Sequence, residues 1–146
     1  MKILFVCTGN TCRSPMAERI LKKNMANVSV SSAGLAAQVG ADASAHAVAV
    51  CARAGLDLSD HKSRQVSPEI LESADLVLTM TAAHRHALKT AFGAGKGIFT
   101  LKEYVGAEDE NVSDPFGGGE EVYQACFSEL SDLIQTLCEK LKNDND

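Results

Sequence analysis

Eight consecutive residues, Cys7-Thr8-Gly9-Asn10-Thr11-Cys12-Arg13-Ser14, concentrate most of the reactive chemistry of the chain. Thr8 to Thr11 are small, and Gly9 and Asn10 are types that accept positive φ, so successive backbone N–H groups can turn toward one point. Ser14-Pro15 then reads as a helix start, with Ser as N-cap and Pro at the first helical position. Such a helix aims its unpaired N–H groups and positive dipole end at the same point. Arg13 closes the ring with a two-pronged guanidinium. The octapeptide is a cradle for a tetrahedral oxyanion.

Cys7 lies at its floor. A thiol beside a helix N-terminus and an arginine is favoured as the reactive thiolate, and the Ser14 hydroxyl is placed to donate to it. A nucleophilic sulfur beneath a bound phosphate points to in-line attack on phosphorus and a cysteinyl-phosphate intermediate. The loop amides and Arg13 would hold the equatorial oxygens of the transferring group. The leaving group also needs a proton, because the nucleophile has already given up its own. Asp114, in Ser113-Asp114-Pro115-Phe116-Gly117-Gly118-Gly119, is the candidate donor. Its structural alternative is a turn Asp that bonds its own backbone. Cys-x5-Arg alone is a weak pattern. The apolar run before Cys7, the Gly-Asn turn and the Ser-Pro helix start give it weight. The nucleotide pattern GxxxxGK followed by Ser or Thr is absent.

The elements that must position this loop follow from the apolar pattern. Lys2–Val6, Val28–Ser32, Ala74–Met80 and Gly97–Leu101 read as strands. A helix opens at Ser14-Pro15 and runs to Met25, a second covers Ser44–Ala54 and stops at Gly55, and a short third spans Glu69–Ser73 behind Ser67-Pro68. Thr81 caps a helix through Ala91. Val105–Gly119 reads as a loop, and Glu120–Lys142 as a long amphipathic helix. Strands alternating with helices give an α/β fold with a parallel sheet. Ligands of such sheets bind outside the carboxyl ends of the strands, where the loop after the first strand lies.

The 146 residues are 45% hydrophobic and 23% charged, the proportions of one ordinary globular domain over 1–146. Residues 1–102 carry 12 Lys/Arg against 7 Asp/Glu, and residues 103–146 carry 2 against 12. With a pI near 5.3 this balance argues against a nucleic-acid partner. No apolar run approaches the roughly 20 residues of a membrane span, and Ile3–Val6 is too short for the core of a signal peptide. A cytoplasmic protein is expected, with five free thiols. Cys51, Cys126 and Cys138 fall on helices and read as packing residues. His46, His61, His84 and His86 have no zinc-type spacing and read as surface or hydrogen-bonding residues. No cofactor is expected.

Val6-Cys7-Thr8-Gly9-Asn10-Thr11-Cys12-Arg13-Ser14-Pro15 resembles the V-C-x-G-N-x-C-R-S-P signature of the low-molecular-weight protein tyrosine phosphatase family. Met16-Ala17-Glu18 continues the likeness, His61-Lys62-Ser63-Arg64-Gln65 resembles the family's H-x-x-R-Q, and Asp114-Pro115 its general-acid Asp-Pro. The resemblance implies a four-stranded parallel sheet flanked by helices and a reaction that needs no metal. It implies Cys7 as nucleophile, Arg13 as phosphate clamp and Asp114 as acid and then base. It places Thr8, Gly9, Asn10, Thr11, Cys12 and Ser14 in the phosphate loop, with Ser32 and His61 supporting it. Cys12 becomes the partner that captures an oxidised Cys7 as a disulfide.

Departures from the tyrosine-specific pattern bear on substrate. Thr11 stands where those members carry a bulky aliphatic residue, the Leu35–Ala43 loop has no aromatic, and only Phe116 follows Asp114-Pro115. C-T-G-N-T-C-R-S-P with D-P-F-G-G resembles the protein-arginine phosphatase branch, as do Ala74–Leu78 and Phe99–Val105. A phosphoarginine side chain is linear and ends in a polar guanidinium, which asks for a narrow slot with acceptors. Guanidine, with a conjugate-acid pKa above ~12, leaves poorly unless protonated, whereas a phenol of pKa about 10 leaves more readily. The expected partners are therefore phosphorylated proteins, phosphoarginine first and phosphotyrosine on the same scaffold as the alternative, met by a monomer. Thioredoxin-coupled arsenate reduction would need further cysteines after the third strand, and Thr79–Leu88 has none. A non-catalytic phosphate-binding module would have no use for Cys7, Arg13, Ser14 and Asp114 together.

Overall fold

A computed structural model of the chain describes residues 1–93 and 97–144. The expected 1–146 domain therefore includes 94–96 and 145–146, which lie outside the described residues. Along the chain come β1 (Lys2–Cys7), α1 (Arg13–Asn24), β2 (Ser29–Gly34), α2 (Ala45–Arg53) and α3 (Pro68–Ser73). Then follow β3 (Leu76–Thr79), α4 (Ala82–Phe92), β4 (Ile98–Thr100), α5 (Leu101–Val105) and α6 (Glu120–Asp144). The four strands form a parallel sheet in the order β2-β1-β3-β4.

β1 is central, and Ile3 to Cys7 are all buried. Successive side chains of a strand point to opposite faces. Ile3, Phe5 and Cys7 face one core with Met16 and Ile20 of α1 and Leu130 and Ile134 of α6. Leu4 and Val6 face the other, with Ala33, Val77 and Leu88. This parity sets the Cys7 side chain beneath the start of α1. Cys7 pairs with Gly34 of β2 and Val6 with Thr79 of β3, so the nucleophile candidate ends β1 where its neighbours diverge.

Three local readings need correction. Ser14 is not the N-cap of α1. The cap is Cys12, which makes no side-chain cap bond, and the Ser14 hydroxyl is turned inward to Cys7 and Asn10 instead. The third strand is shorter than Ala74–Met80, because Ala74 ends α3 as its C-cap. The fourth strand stops at Thr100, and Leu101–Val105 is helix α5 rather than strand end and loop. Thr100 and Glu103 form a capping box, with Glu103 N–H donating to Thr100 Oγ1 at 3.0 Å and Thr100 N–H to Glu103 Oε1 at 2.8 Å.

The remaining helices start as their capping residues dictate. Ser44, Ser67 and Thr81 each accept from the N–H three residues on, opening α2, α3 and α4. Helix α6 buries Tyr123, Cys126, Phe127, Leu130, Ile134, Leu137, Cys138 and Leu141, one apolar stripe at helical spacing. Cys51 and Cys126 are packing residues; burial pushes their thiols up to about 11 and about 12.

Candidate active site

The order of hydrogen bonds around Asn10 fixes the direction of the protons that run from Arg64 through Ser14 to Cys7, and of the one on His61. Asn10 has φ 57, in the left-handed region that Asn tolerates, and it is fully buried. Its Oδ1 accepts from Arg64 N–H at 2.9 Å, so its Nδ2 must face Ser14, to whose Oγ it donates at 2.9 Å. With Ser14 Oγ accepting there, its own proton is left for Cys7 Sγ, 2.8 Å away. The hydroxyl thus aims its proton at the sulfur from beneath the loop. His61 Nε2 lies 2.7 Å from Asn10 O, and because a carbonyl only accepts, Nε2 carries the proton.

The loop carbonyls are drawn outward. Thr8 O accepts from Ala36 N–H at 2.9 Å, Thr11 O from Ser44 N–H at 2.9 Å and Cys12 O from Met16 N–H at 3.2 Å. A trans peptide points its C=O and the next N–H in opposite directions, so the N–H groups of Gly9, Thr11, Cys12 and Arg13 turn toward the loop interior. They form the anion cradle read from the octapeptide. Gly34 allows the loop to sit this close to β2, since a Cβ there would lie 2.6 Å from Thr8 O and 3.0 Å from Asn10 N.

Above the loop is a cavity of about 240 Å³ lined by Cys7, Thr8, Gly9, Thr11, Cys12, Arg13, Asp114 and Phe116. Arg13 is 5% exposed; its Nη1 donates to Val112 O at 2.9 Å and its Nη2 lies 3.6 Å from Asp114 Oδ2. Asp114 Oδ1 accepts from Phe116 N–H at 3.0 Å. The turn contact and the position at the cavity mouth thus coexist, one carboxylate oxygen serving each. Phe116 stands at the rim, 80% exposed. Thr11 forms part of the wall, its Oγ1 3.7 Å from Cys12 Sγ. The same sulfur lies 3.3 Å from Tyr123 Oη and 3.6 Å from Ser44 Oγ, and burial pushes the Tyr123 hydroxyl up.

Ser32 is one step removed from the loop. Its hydroxyl donates to Glu18 Oε1 at 2.6 Å, and its carbonyl accepts from Arg64 Nε at 3.1 Å. Glu18 and Arg64 are thus structural contributors that the sequence reading left without a role. So is Glu129, whose Oε1 accepts from Ser113 N–H at 3.2 Å beside the acid candidate. His84, which the sequence marks only as a surface or hydrogen-bonding residue, is buried, and its Nε2 lies 2.9 Å from Thr8 Oγ1. One signal for it was available. Thr81, two residues past the end of β3, caps α4, and the first turn of that helix must lie beside the end of β1.

A sulfur under inward-facing amides, an arginine clamp and a carboxylate at the mouth can bind a phosphoryl group, attack it and protonate what leaves. A family model described as low molecular weight phosphotyrosine protein phosphatase matches residues 2–146. The chain belongs to this family. Within it, the chain is 45% identical over 145 residues to a protein-arginine-phosphatase of Geobacillus stearothermophilus, covering 98% of this chain and 97% of that one. It is 44% identical over 149 residues to a protein-arginine-phosphatase of Bacillus subtilis (strain 168), covering 99% of both. Among solved structures it superposes with a TM-score of 0.95 on the YwlE arginine phosphatase in its C7S mutant form with a phosphorylated active-site serine. That match has 43% identity and covers 99% of this chain and 97% of the other. The family fold is the four-stranded parallel sheet with flanking helices described above.

Proposed function

We propose that this single-domain member of the family hydrolyses phosphoarginine in proteins through a cysteinyl-phosphate intermediate. The thiolate of Cys7 attacks phosphorus, and the P–N bond breaks as Asp114 passes its proton to the bridging nitrogen. The bridging nitrogen becomes an NH2 of the guanidinium, and the restored arginine side chain departs. Asp114, now a carboxylate, takes a proton from water; the resulting hydroxide attacks phosphorus, and Cys7 leaves as thiolate with inorganic phosphate released. Arg13 and the N–H groups of Gly9, Thr11, Cys12 and Arg13 hold the equatorial oxygens in both steps, which is where the charge lies.

The observation that carries the reading is the Asn10–Ser14–Cys7 chain of hydrogen bonds beneath a cavity closed by Arg13 and Asp114. Three things support phosphoarginine as the substrate: the likeness to two protein-arginine-phosphatases, the small Thr11 wall, and a lining whose only aromatic residue is Phe116. A second reading, phosphotyrosine, is favoured by Phe116 itself, whose exposed ring at the rim offers one face to a phenyl group. Phosphorylated proteins are the proposed partners of a cytoplasmic monomer, with neither nucleic acid nor membrane involved. No helix of the described residues is long and apolar enough to cross a membrane. If peroxide converts Cys7 to the sulfenic acid, Cys12 sulfur displaces water from it to give a disulfide, which a thiol reductant reopens.

The test is kcat/KM on one peptide sequence carrying either phosphoarginine or phosphotyrosine, with Cys7→Ser as blank and Thr11→Ile beside the wild type. A phosphoarginine preference that Thr11→Ile erases is the expected result. A phosphotyrosine preference in the wild type would overturn the substrate assignment and leave the chemistry standing.

A further inference from the structure

The first turn of α4 hands a side chain to the phosphate loop from the side opposite His61. Thr81 caps this helix by accepting from His84 N–H at 3.1 Å, which fixes where the His84 ring emerges. The ring is 7% exposed, and its Nε2 lies 2.9 Å from Thr8 Oγ1. Its Nδ1 is fully buried and has no partner among the described residues. An unpartnered buried nitrogen is costly, and a Phe of similar shape would fill the space without that cost. What Phe would lack is the bond to Thr8.

Thr8 is the residue directly after Cys7 and lines the cavity. Its carbonyl is already held by Ala36 N–H, so its backbone is pinned toward β2 and its side chain toward α4. Burial above all, and then the Arg13 cation, hold the ring neutral by pushing its titration down to about 4; Asp114 opposes them. A neutral ring carries one N–H. Nδ1 faces no acceptor among the described residues, so a proton there would be an orphaned buried donor, and the single N–H sits on Nε2. Nε2–H then donates to Thr8 Oγ1, and the hydroxyl proton of Thr8 is free for another acceptor.

We infer that His84 is a positioning residue, which rests on the phosphatase reading above: it holds the Thr8 hydroxyl so that Thr8 donates to an oxygen of the bound phosphoryl group. Thr8 thereby adds a side-chain donor to the ring of loop amides. His84 acts through it without touching substrate.

The experiment is a double-mutant cycle with a conservative rescue, read on two observables. These are kcat/KM for an aryl phosphate and the dissociation constant of inorganic phosphate by calorimetry, measured for wild type, Thr8→Val, His84→Phe, the double variant and His84→Gln. Thr8→Val and His84→Phe should each weaken both observables by about tenfold, the scale of one lost hydrogen bond. The double variant should be no worse than either single, and His84→Gln, which can place an amide N–H near the same point, should recover most of the loss. Multiplying losses in the double variant, a Gln variant as poor as the Phe variant, or a Thr8→Val protein equal to wild type would overturn the role. The last comparison stands even if His84→Phe fails to fold. Aryl phosphate turnover that is absent in wild type, or that survives Cys7→Ser, would instead count against the phosphatase reading, and the phosphate constants would still decide the role of His84.

Discussion

Asn10 lies beneath the loop that floors the cavity and Asp114 lines the cavity itself, and the two segments are held in opposite ways. Asn10 is fully buried, and both side-chain groups and its carbonyl are engaged, by Ser14, Arg64 and His61. The Asp114 side chain is 58% exposed and meets Arg13 at 3.6 Å. The segment that carries this proposed acid hangs from a few points beneath it. Val112 N–H donates to Met80 O at 2.8 Å, Ser113 N–H to Glu129 Oε1 at 3.2 Å, and Ala82 N–H to Asn111 Oδ1 at 2.9 Å. Lys102 ties Glu129 to Asp109 at 3.4 and 2.9 Å, and these ion pairs raise its pKa against the pull of its burial. Phosphate binding and attack need fixed donors, which a buried network supplies without reorganisation. Protonating a leaving group and then activating water asks one carboxylate to serve two partners, and an exposed, lightly tethered residue can do so.

The largest effects should come from the buried half. Cys7→Ser should abolish turnover while retaining phosphate binding, as measured by steady-state kinetics and calorimetry. Arg13→Lys should cost roughly 100- to 1,000-fold in kcat, the loss of a preorganised two-pronged donor.

Asp114→Asn comes next, at about 100- to 10,000-fold on phosphoarginine. The loss in kcat/KM should be much smaller on an activated aryl phosphate, whose leaving group needs little protonation. Equal losses on both substrates would mean that the carboxylate is not the acid for the first step.

Asn10→Ala removes the partner of Ser14 and of Arg64 N–H at once, and should lower stability by roughly 1–3 kcal/mol by denaturant melting. Its activity should fall on both substrates alike. Glu129→Gln should sharpen the contrast from the other side, leaving aryl phosphate turnover nearly intact and reducing phosphoarginine turnover by less than about tenfold, the scale of one weakened hydrogen bond.

The smallest effect concerns the thiols. Cys51 and Cys126 are held protonated well above neutral pH, with titrations raised to about 11 and about 12 by burial. Iodoacetamide at pH 7 should therefore spare these two, whereas Cys7 and Cys12 line the cavity and are open to the reagent, and inorganic phosphate should protect the loop. Peptide mapping by mass spectrometry checks both.

The buried half was also the more legible one. Cys7, Asn10, Arg13 and Ser14 lie within eight residues of one another, so spacing and residue type alone describe most of their geometry. The apolar runs placed four strands, and the parallel sheet followed from their alternation with helices. What escaped depended on contacts between distant segments. Ser14 has the residue type and position of a cap, and only its tertiary partners turn it inward. Thr100-Leu101-Lys102-Glu103 is a capping box in plain sight, yet the apolar Gly97–Leu101 pattern outweighed it and hid α5. Glu129, His84 and Gly34 act across 16, 76 and about 26 residues of sequence, the last by leaving room for Thr8 O. Of these only His84 had a local hint, the Thr81 cap that sets it in the first turn of α4.

The most direct test of the account is rapid acid quench of wild type and Asp114→Asn mixed with a phosphoarginine peptide, followed by mapping of the phosphoryl group. A transient phosphoryl group is expected on Cys7 and on no other residue, forming with release of the unmodified peptide and decaying to inorganic phosphate in wild type. Phosphate appearing at full wild-type rate with no phosphoryl group ever carried by Cys7 would rule out the cysteinyl-phosphate mechanism.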